Sequence, residues 1–455
     1  MKKSLYTAAQ ADFNKITGKL NVKQHGSNSC PPLYGRGFGE NLAIDNEFRK
    51  MNFWGSRTHD WALWNSGQRM VDTHFIFPLD HADEKDEKNY IFGPTDAIIK
   101  LCRNVGMKVF YRLGVSIEHN PPDMHFNTIP PKDFHKYAEV LASIIRHYTK
   151  GWANGFEYDD MEYWEIWNEA DLGGLMWDST WPRFCKFFAI VLKRLKTEFP
   201  ELKIGGPAFC GLNVEKLDVL LDECDKLGVK PDFISWHSYT SDAIGLIKWP
   251  REVREYLDKR GCTETETCIN EWHFLLDWKG VQASASTDMR RRAMEGVCGM
   301  HGIDSGCFNL AVLSGWQNEP LDTAFYYGAA LYTVWGFYDE FRKASKNMYS
   351  MKMFGRFLAE CEDKVECSSN EGSIYIVGAH AKDGKSASLL VTDYCGSSST
   401  IEVEVAGMED AKSVSAVIMD KDRDVVPVDV IWKNNVLTLI KNAHGSAAFY
   451  VTFEK

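Results

Sequence analysis

Two textures of apolar patterning divide the chain. Up to about residue 360, short β-rich runs alternate with stretches whose apolar residues recur every three or four positions. The β-rich runs are KLNVKQHG (19–26), FWGSRTHD (53–60), MKVFYRLG (107–114), EYWEIWNE (162–169), KIGGP (203–207), DFISWHSY (232–239), ETCINEW (266–272) and GCFNLAVLSGW (306–316). Between them, PKDFHKYAEVLASIIRHYTKG places Phe134, Tyr137, Leu141, Ile144, Ile145 and Tyr148 on one helical face, and Gly151 stops it. WPRFCKFFAIVLKRLKTEFP repeats the scheme with Pro182 in the first turn and Pro200 past the end. Eight strands with interleaved helices predict an α/β fold, a (β/α)8 TIM barrel. No GxGxxG follows an early strand to favour a dinucleotide fold.

After the helical stretch KNMYSMKMFGRFLAECE the pattern shifts to two-residue alternation, broken by Lys-Asp-Gly, Gly-Ser-Ser-Ser and Asn-Asn turns. This predicts a C-terminal antiparallel β-sandwich over 361–455 beside a catalytic barrel over 18–360, with residues 1–17 as candidates to join the sandwich.

Composition narrows the function classes. The chain has 455 residues, 44% hydrophobic, 25% charged and 13% aromatic, the profile of a globular protein with an aromatic interior. Its 52 basic against 63 acidic residues give a formal charge of -11. That balance argues against a nucleic-acid or anionic-membrane partner, which would call for a basic patch. Polar residues and Asp12 interrupt the start of the chain, so no signal peptide is expected. The twelve cysteines form no CxxC pair and many sit in apolar runs, consistent with free thiols in a reducing cytoplasm.

Two apolar, aromatic stretches each end on Asn-Glu: Asn168-Glu169 after the fourth strand, Asn270-Glu271 in the seventh. A buried ionised carboxylate is costly unless it is paired or used. At the carboxyl ends of barrel strands, two such groups suit glycosidic bond cleavage, one as acid and one as base or nucleophile. Arg57, ending the second strand, is the candidate cation that keeps one carboxylate ionised. A single Glu at a strand end is more often a salt-bridge member, and Glu157, Glu162 and Glu165 are read that way, Glu165 as the partner of an Arg inside the barrel.

WEIWNEAD and INEW at strands four and seven resemble the acid/base and nucleophile motifs of the retaining four/seven barrel glycosidases. Within that clan the chain resembles glycoside hydrolase family 39, the β-xylosidase and α-L-iduronidase family. GKLNVKQHGSNSCPP, SRTHD, KIGGPA and DFISWHSY resemble its first, second, fifth and sixth strands, with Ala170 where the family has Pro. The resemblance implies Glu169 as acid/base, Glu271 as nucleophile and Asn168 on the sugar 2-hydroxyl. It also implies that Arg57 and Tyr239 orient Glu271, and that His59 and His237 line the sugar subsite. Trp167, Trp272 and Trp316 are candidates to stack on a sugar face, with Trp316 favoured.

The expectation is therefore a retaining, exo-acting glycosidase that removes a terminal neutral sugar (xylose-, galactose-, glucose- or arabinose-type) without a cofactor or metal. Its partner is an oligosaccharide or glycoside substrate, with no nucleic acid or membrane, and homo-oligomerisation is left open. Two rivals stand beside it. In one, His25, His59, His119 and His237 hold a metal for hydrolysis; in the other, the protein binds sugar without cleaving it.

Overall fold

The computed structural model describes residues 7–32, 42–59, 70–118, 121–282, 285–328, 334–338, 343–441 and 445–455. Eight parallel strands close into a barrel: Gly26–Asn28, Gly55–Arg57, Lys108–Leu113, Tyr163–Ile166, Lys203–Phe209, Phe233–Thr240, Glu266–Phe274 and Thr323–Tyr326. The eighth pairs in parallel with the first, Phe325 beside Gly26. Each strand is followed by a helix that packs outside it, from Leu42–Met51 after the first to Lys346–Glu360 after the eighth. Local chemistry sets the helix starts. Asp133 accepts from the backbone amides of His135 and Lys136, Asn213 from Lys216, and Asp242 from Gly245.

Two expectations need correction. The run GCFNLAVLSGW is not the eighth strand: it lies in the helix Ile303–Trp316, and the eighth strand is the short segment Thr323–Tyr326 that follows. That helix is buried on nearly every side because it packs between the barrel and the second sheet. A helix apolar all round carries no 3.6-residue period to betray it. The first strand is also displaced, to Gly26–Asn28, because Lys19 ends a strand of the other sheet.

That other sheet has ten strands, drawn from Ala9–Lys19 and from the chain between Cys361 and Glu454. Its ladders are antiparallel except where Ala9–Lys19 runs parallel to Thr400–Ala406. Its inner faces meet in one core that includes Phe13, Leu389, Val403, Leu439, Phe449 and Phe453. This is the sandwich beside the barrel, tied to it through the helix Ile303–Trp316.

The barrel interior is layered, and the layering positions the chemistry. Its floor is aromatic: Phe110, Tyr163, Phe233 and Phe325 pack with Cys268. Glycines make room for these rings. A Cβ on Gly26 would lie 2.5 Å from the Phe325 ring, and one on Gly205 2.2 Å from the Phe233 carbonyl oxygen. Two residues further along each strand, side chains return to the interior, and here that layer is polar: Asn28, Arg57, Glu165, Ser235 and Asn270. The dry floor beneath raises the strength of every charge interaction in the layer above it.

Candidate active site

The polar layer is organised around one guanidinium. Arg57 is fully buried, and its Nε donates to Glu165 Oε2 at 2.6 Å. Nη1 donates to Asn28 Oδ1 at 3.0 Å and to Glu271 Oε1 at 2.9 Å; Nη2 donates to Asn168 Oδ1 at 2.7 Å. Burial works against the Arg57 charge, but Glu165 and Glu271 outweigh it and raise the guanidinium pKa. Glu165 Oε1 accepts from Ser235 Oγ and Asn270 Nδ2, each at 2.6 Å. Asn28 Nδ2 in turn donates to the Asn270 carbonyl at 2.8 Å. Five strands are thus tied across the barrel by side chains that satisfy one another.

The paired Asn-Glu motifs turn out to do different work. Asn270 supports Glu165 from below, whereas Asn168 is held from Arg57 at the level of the pocket. Because Arg57 occupies the Asn168 carbonyl oxygen, the amide orientation is fixed and its NH2 is the end left to donate elsewhere. Consecutive residues of a strand normally face opposite ways, yet Asn270 and Glu271 both face inward. A bulge in the seventh strand explains this. The register steps from Trp236 beside Ile269 to His237 beside Glu271, and the ladder to the eighth strand slips at the same place.

Glu169 reaches the pocket by a different irregularity. The fourth strand ends at Ile166, and the next residues include two with left-handed backbone, Trp167 at φ 74° and Glu169 at φ 46°. Such conformations cost about 1–3 kcal/mol each in a non-glycine residue and persist only where the surroundings hold them. Here Trp167 N donates to Leu113 O at 2.7 Å, its indole to Met176 O at 2.8 Å, and Glu169 N to Ala208 O at 2.8 Å.

The two carboxylates share the pocket with two imidazoles and a phenol. Glu271 Oε1 lies 3.1 Å from His59 Nε2, and Oε2 accepts from Tyr239 Oη at 2.6 Å. His237 Nδ1 sits between the carboxylates, 2.7 Å from Glu169 Oε1 and 3.3 Å from Glu271 Oε2. One atom each of Glu169, His237 and Glu271 lie within 4.8 Å of one another. Burial pushes the Glu271 carboxyl above its usual range and Glu169 adds to this, while His237, Arg57 and the Tyr239 hydroxyl oppose it. Burial also lowers His237 to about 4, against Glu271, which raises it. The imidazole is therefore neutral at pH 7, and with two acceptors at Nδ1 the proton is assigned there. The sign for stability follows. The neutral His237 stabilises the fold fully above 6.5, and that contribution is lost as pH falls towards 4. Burial drives His59 well below its normal value, with Arg57 the next contributor.

Of the residues singled out in the sequence, Glu169, Glu271, Asn168, Arg57, His59, His237 and Tyr239 come together here. Trp316 does not, and the stacking role expected of it is corrected. It ends the buried helix Ile303–Trp316, its indole donates to Leu246 O at 3.2 Å, and its ring packs edge-on against Trp272. Trp167 and Trp272 are likewise buried. The aromatic rings beside Tyr239 are instead Trp278 and Trp335, each 5.2 Å away, and Tyr327 at 5.9 Å. Tyr327 and Trp335 follow the true eighth strand, whose misplacement hid them, and Trp278 lies in the turn after the seventh. Trp278 is 48% exposed.

Among the described residues, the histidines expected to form a metal rim do not assemble into one. His25 is buried against Phe53 with Nε2 2.9 Å from Met51 O, and His119 lies outside the described residues. Glu169, His237 and Glu271 are close enough to offer three ligands to a cation. The Arg57 guanidinium, 2.9 Å from Glu271, already supplies the positive charge such an ion would bring.

Among the described residues no helix is long and apolar enough to cross a membrane. Residues 54–249 match the profile of glycosyl hydrolases family 39. A β-xylosidase of Geobacillus stearothermophilus is 32% identical over 117 residues, 26% of this chain and 23% of that protein. One of Caldicellulosiruptor saccharolyticus is 28% identical over 163 residues, 34% of this chain and 32% of that protein. The chain thus aligns with less than a third of either relative's length. Among solved structures, a glucosidase from Croceicoccus marinus superimposes with a TM-score of 0.77 at 19% identity, covering 99% of this chain and 100% of that one. A GH39 β-xylosidase from Caulobacter crescentus gives 0.69 at 14%, covering 98% and 99%. An α-L-arabinofuranosidase from Thermotoga maritima gives 0.67 at 13%, covering 99% and 100%. At these identities the likeness is one of fold.

The network around Arg57 makes a direct prediction. Glu165→Ala leaves a fully buried guanidinium short of its main counter-charge and should lower unfolding free energy by about 3–5 kcal/mol. Urea unfolding measures it; a midpoint within error of the parent would show that Glu165 does not hold Arg57.

Proposed function

We propose, on the premise that the chain belongs to glycosyl hydrolases family 39 through residues 54–249, that it is a retaining glycosidase removing a terminal neutral sugar by double displacement. The observation that carries this reading is the approach of the Glu169 and Glu271 carboxylates, with oxygens within 4.8 Å. Retaining enzymes hold the pair about 5–5.5 Å apart, whereas inverting ones need about 6.5–9.5 Å to admit a water.

In the first step a Glu271 oxygen attacks the anomeric carbon. The glycosidic C–O bond breaks, and the leaving oxygen takes a proton from Glu169. In the second, Glu169 removes a proton from water, which attacks the same carbon and frees Glu271. Arg57 and Tyr239 aim the nucleophile, each bonded to a different oxygen of Glu271. When Glu271 loses its charge in the glycosyl ester, Glu165 still neutralises Arg57, so no buried cation is stranded midway. The Asn168 NH2 donates to the sugar 2-hydroxyl, a bond that strengthens as the transition state forms. His59 and His237 line the subsite as neutral imidazoles, and Trp278 and Trp335 offer apolar walls to a sugar face.

Xylose-, glucose-, galactose- and arabinose-type sugars are the candidate glycones, supported by the β-xylosidase names of the sequence relatives. Exo action at a chain end fits this set. The twelve free thiols, most of them buried, suit a reducing compartment such as the cytoplasm, where short imported oligosaccharides are the substrates at hand.

Leaving-group dependence tests the roles. Glu169→Ala should slow glycosides with poor leaving groups by about 10²–10⁴-fold and activated aryl glycosides far less, and product NMR should show the anomeric configuration kept. Equal losses on both substrates, or inverted product, would refute the assignment. Tyr239→Phe removes a bond that lowers the Glu271 pKa. The acidic limb of the kcat/KM profile should therefore move to higher pH; an unmoved limb would mean that Tyr239 does not tune the nucleophile.

A further inference from the structure

The third barrel strand carries a second buried arginine that the mechanism above does not use. In Lys108–Leu113, Phe110 belongs to the interior floor and Tyr111 turns outward to stack on Trp164. Arg112 thus returns to the interior one layer up, in the row that holds the chemistry. Register places it further. Arg57 pairs with Phe110, so His59, two residues on, comes level with Arg112 on the neighbouring strand. The Arg112 amide donates to Thr58 Oγ1 at 2.9 Å, consistent with that alignment. On its other side Arg112 pairs with Glu165. Arg112 therefore stands beside His59, whose Nε2 is 3.1 Å from the nucleophile.

One corner of the guanidinium is fixed. Nη2 donates to Asp72 Oδ1 at 2.8 Å and to Ser116 Oγ at 3.1 Å. Asp72 is itself held by the Ser116 amide at 2.7 Å and hydroxyl at 2.9 Å. Nε and Nη1, on either side of that corner, carry further N–H groups. Arg112 is fully buried, yet among the described residues Nε and Nη1 meet no acceptor. Leaving charged donors dry and unpaired is costly. Pairing Asp72 requires only Nη2, so Nε and Nη1 are surplus to that role.

We propose that Arg112 is a further substrate-binding residue, donating from Nε or Nη1 to a hydroxyl of the glycone and so selecting among neutral sugars by their stereochemistry. The inference rests on the glycosidase reading and deepens it. Charge favours a hydroxyl over a carboxylate as the ligand. Arg57 and Arg112 are opposed by Glu165, Glu271 and Asp72, so an anionic glycone would enter a pocket whose fixed charge is already negative.

The test begins with the wild-type protein and an aryl glycoside of the sugar it cleaves best; absence of any hydrolysis would sink the glycosidase reading itself, separately from Arg112. Monodeoxy versions of that glycoside are then compared with it. At least one position other than C2, which reports Asn168, should cost about 10- to 100-fold in kcat/KM, the range for a hydrogen bond to a charged donor. Arg112→Met should lose a similar factor on the parent sugar but almost nothing further on that deoxy sugar. The double variant Arg112→Met/Asp72→Asn, which keeps buried charge balanced, should behave alike and carries the comparison if the single variant fails to fold. The proposal is overturned if no position beyond C2 costs the wild type tenfold. It is equally overturned if a folded variant shows the same fractional loss on every deoxy sugar, which would leave Arg112 a structural partner of Asp72.

Discussion

The Arg57 guanidinium is the point through which the interior of this barrel is connected. It sits above a floor of phenyl rings, where an unpaired charge would cost several kcal/mol, and its donors go to Asn28, Glu165, Asn168 and Glu271. Those partners come from the first, fourth and seventh strands or their ends, so one side chain fixes the relative height of four staves. The orientation of the Glu271 carboxylate and the direction of the Asn168 amide are both consequences of where this cation is held. Glu165 gives the arrangement its tolerance. With Glu165 as a standing counter-charge, Arg57 stays paired whatever the charge state of Glu271.

Departures from regular backbone deliver the two catalytic candidates. A regular seventh strand would send either Asn270 or Glu271 outward; the bulge lets one brace the charge network and the other face Glu169 and His237. The left-handed residues around Asn168 play the corresponding part after the fourth strand. Strain of that kind is held by the bonds from Trp167 to Leu113 and Met176 and from Glu169 to Ala208. Burial of Glu271 likewise raises the proton affinity of its carboxyl.

Much of this was legible in the chain. The strand–helix alternation is strong enough to indicate the barrel, and the repeated Asn-Glu ending drew attention to Glu169 and Glu271. Arg57 was readable as a candidate cation because it ends another strand of the barrel. The identity of the eighth strand was not. Ile303–Trp316 is covered on both sides, so its apolar run has the same appearance as a buried strand, whereas the four residues Thr323–Tyr326 are too few to show any period. That single misplacement sent Trp316 to the pocket and hid Tyr327 and Trp335. The different duties of Asn168 and Asn270 were also unreadable, since a bulge leaves no mark in a sequence, and Arg112 looked like an ordinary strand residue until its partners could be counted.

The central claim is that Glu271, aimed by Arg57 and Tyr239, becomes covalently bonded to the sugar. Incubation with an activated 2-deoxy-2-fluoro glycoside, followed by mass spectrometry of the digested protein, tests it most directly. The account predicts stoichiometric inactivation with the fluoroglycosyl group on the peptide that contains Glu271. Attachment to any other residue would contradict it, as would turnover of the parent glycoside with no trapped intermediate.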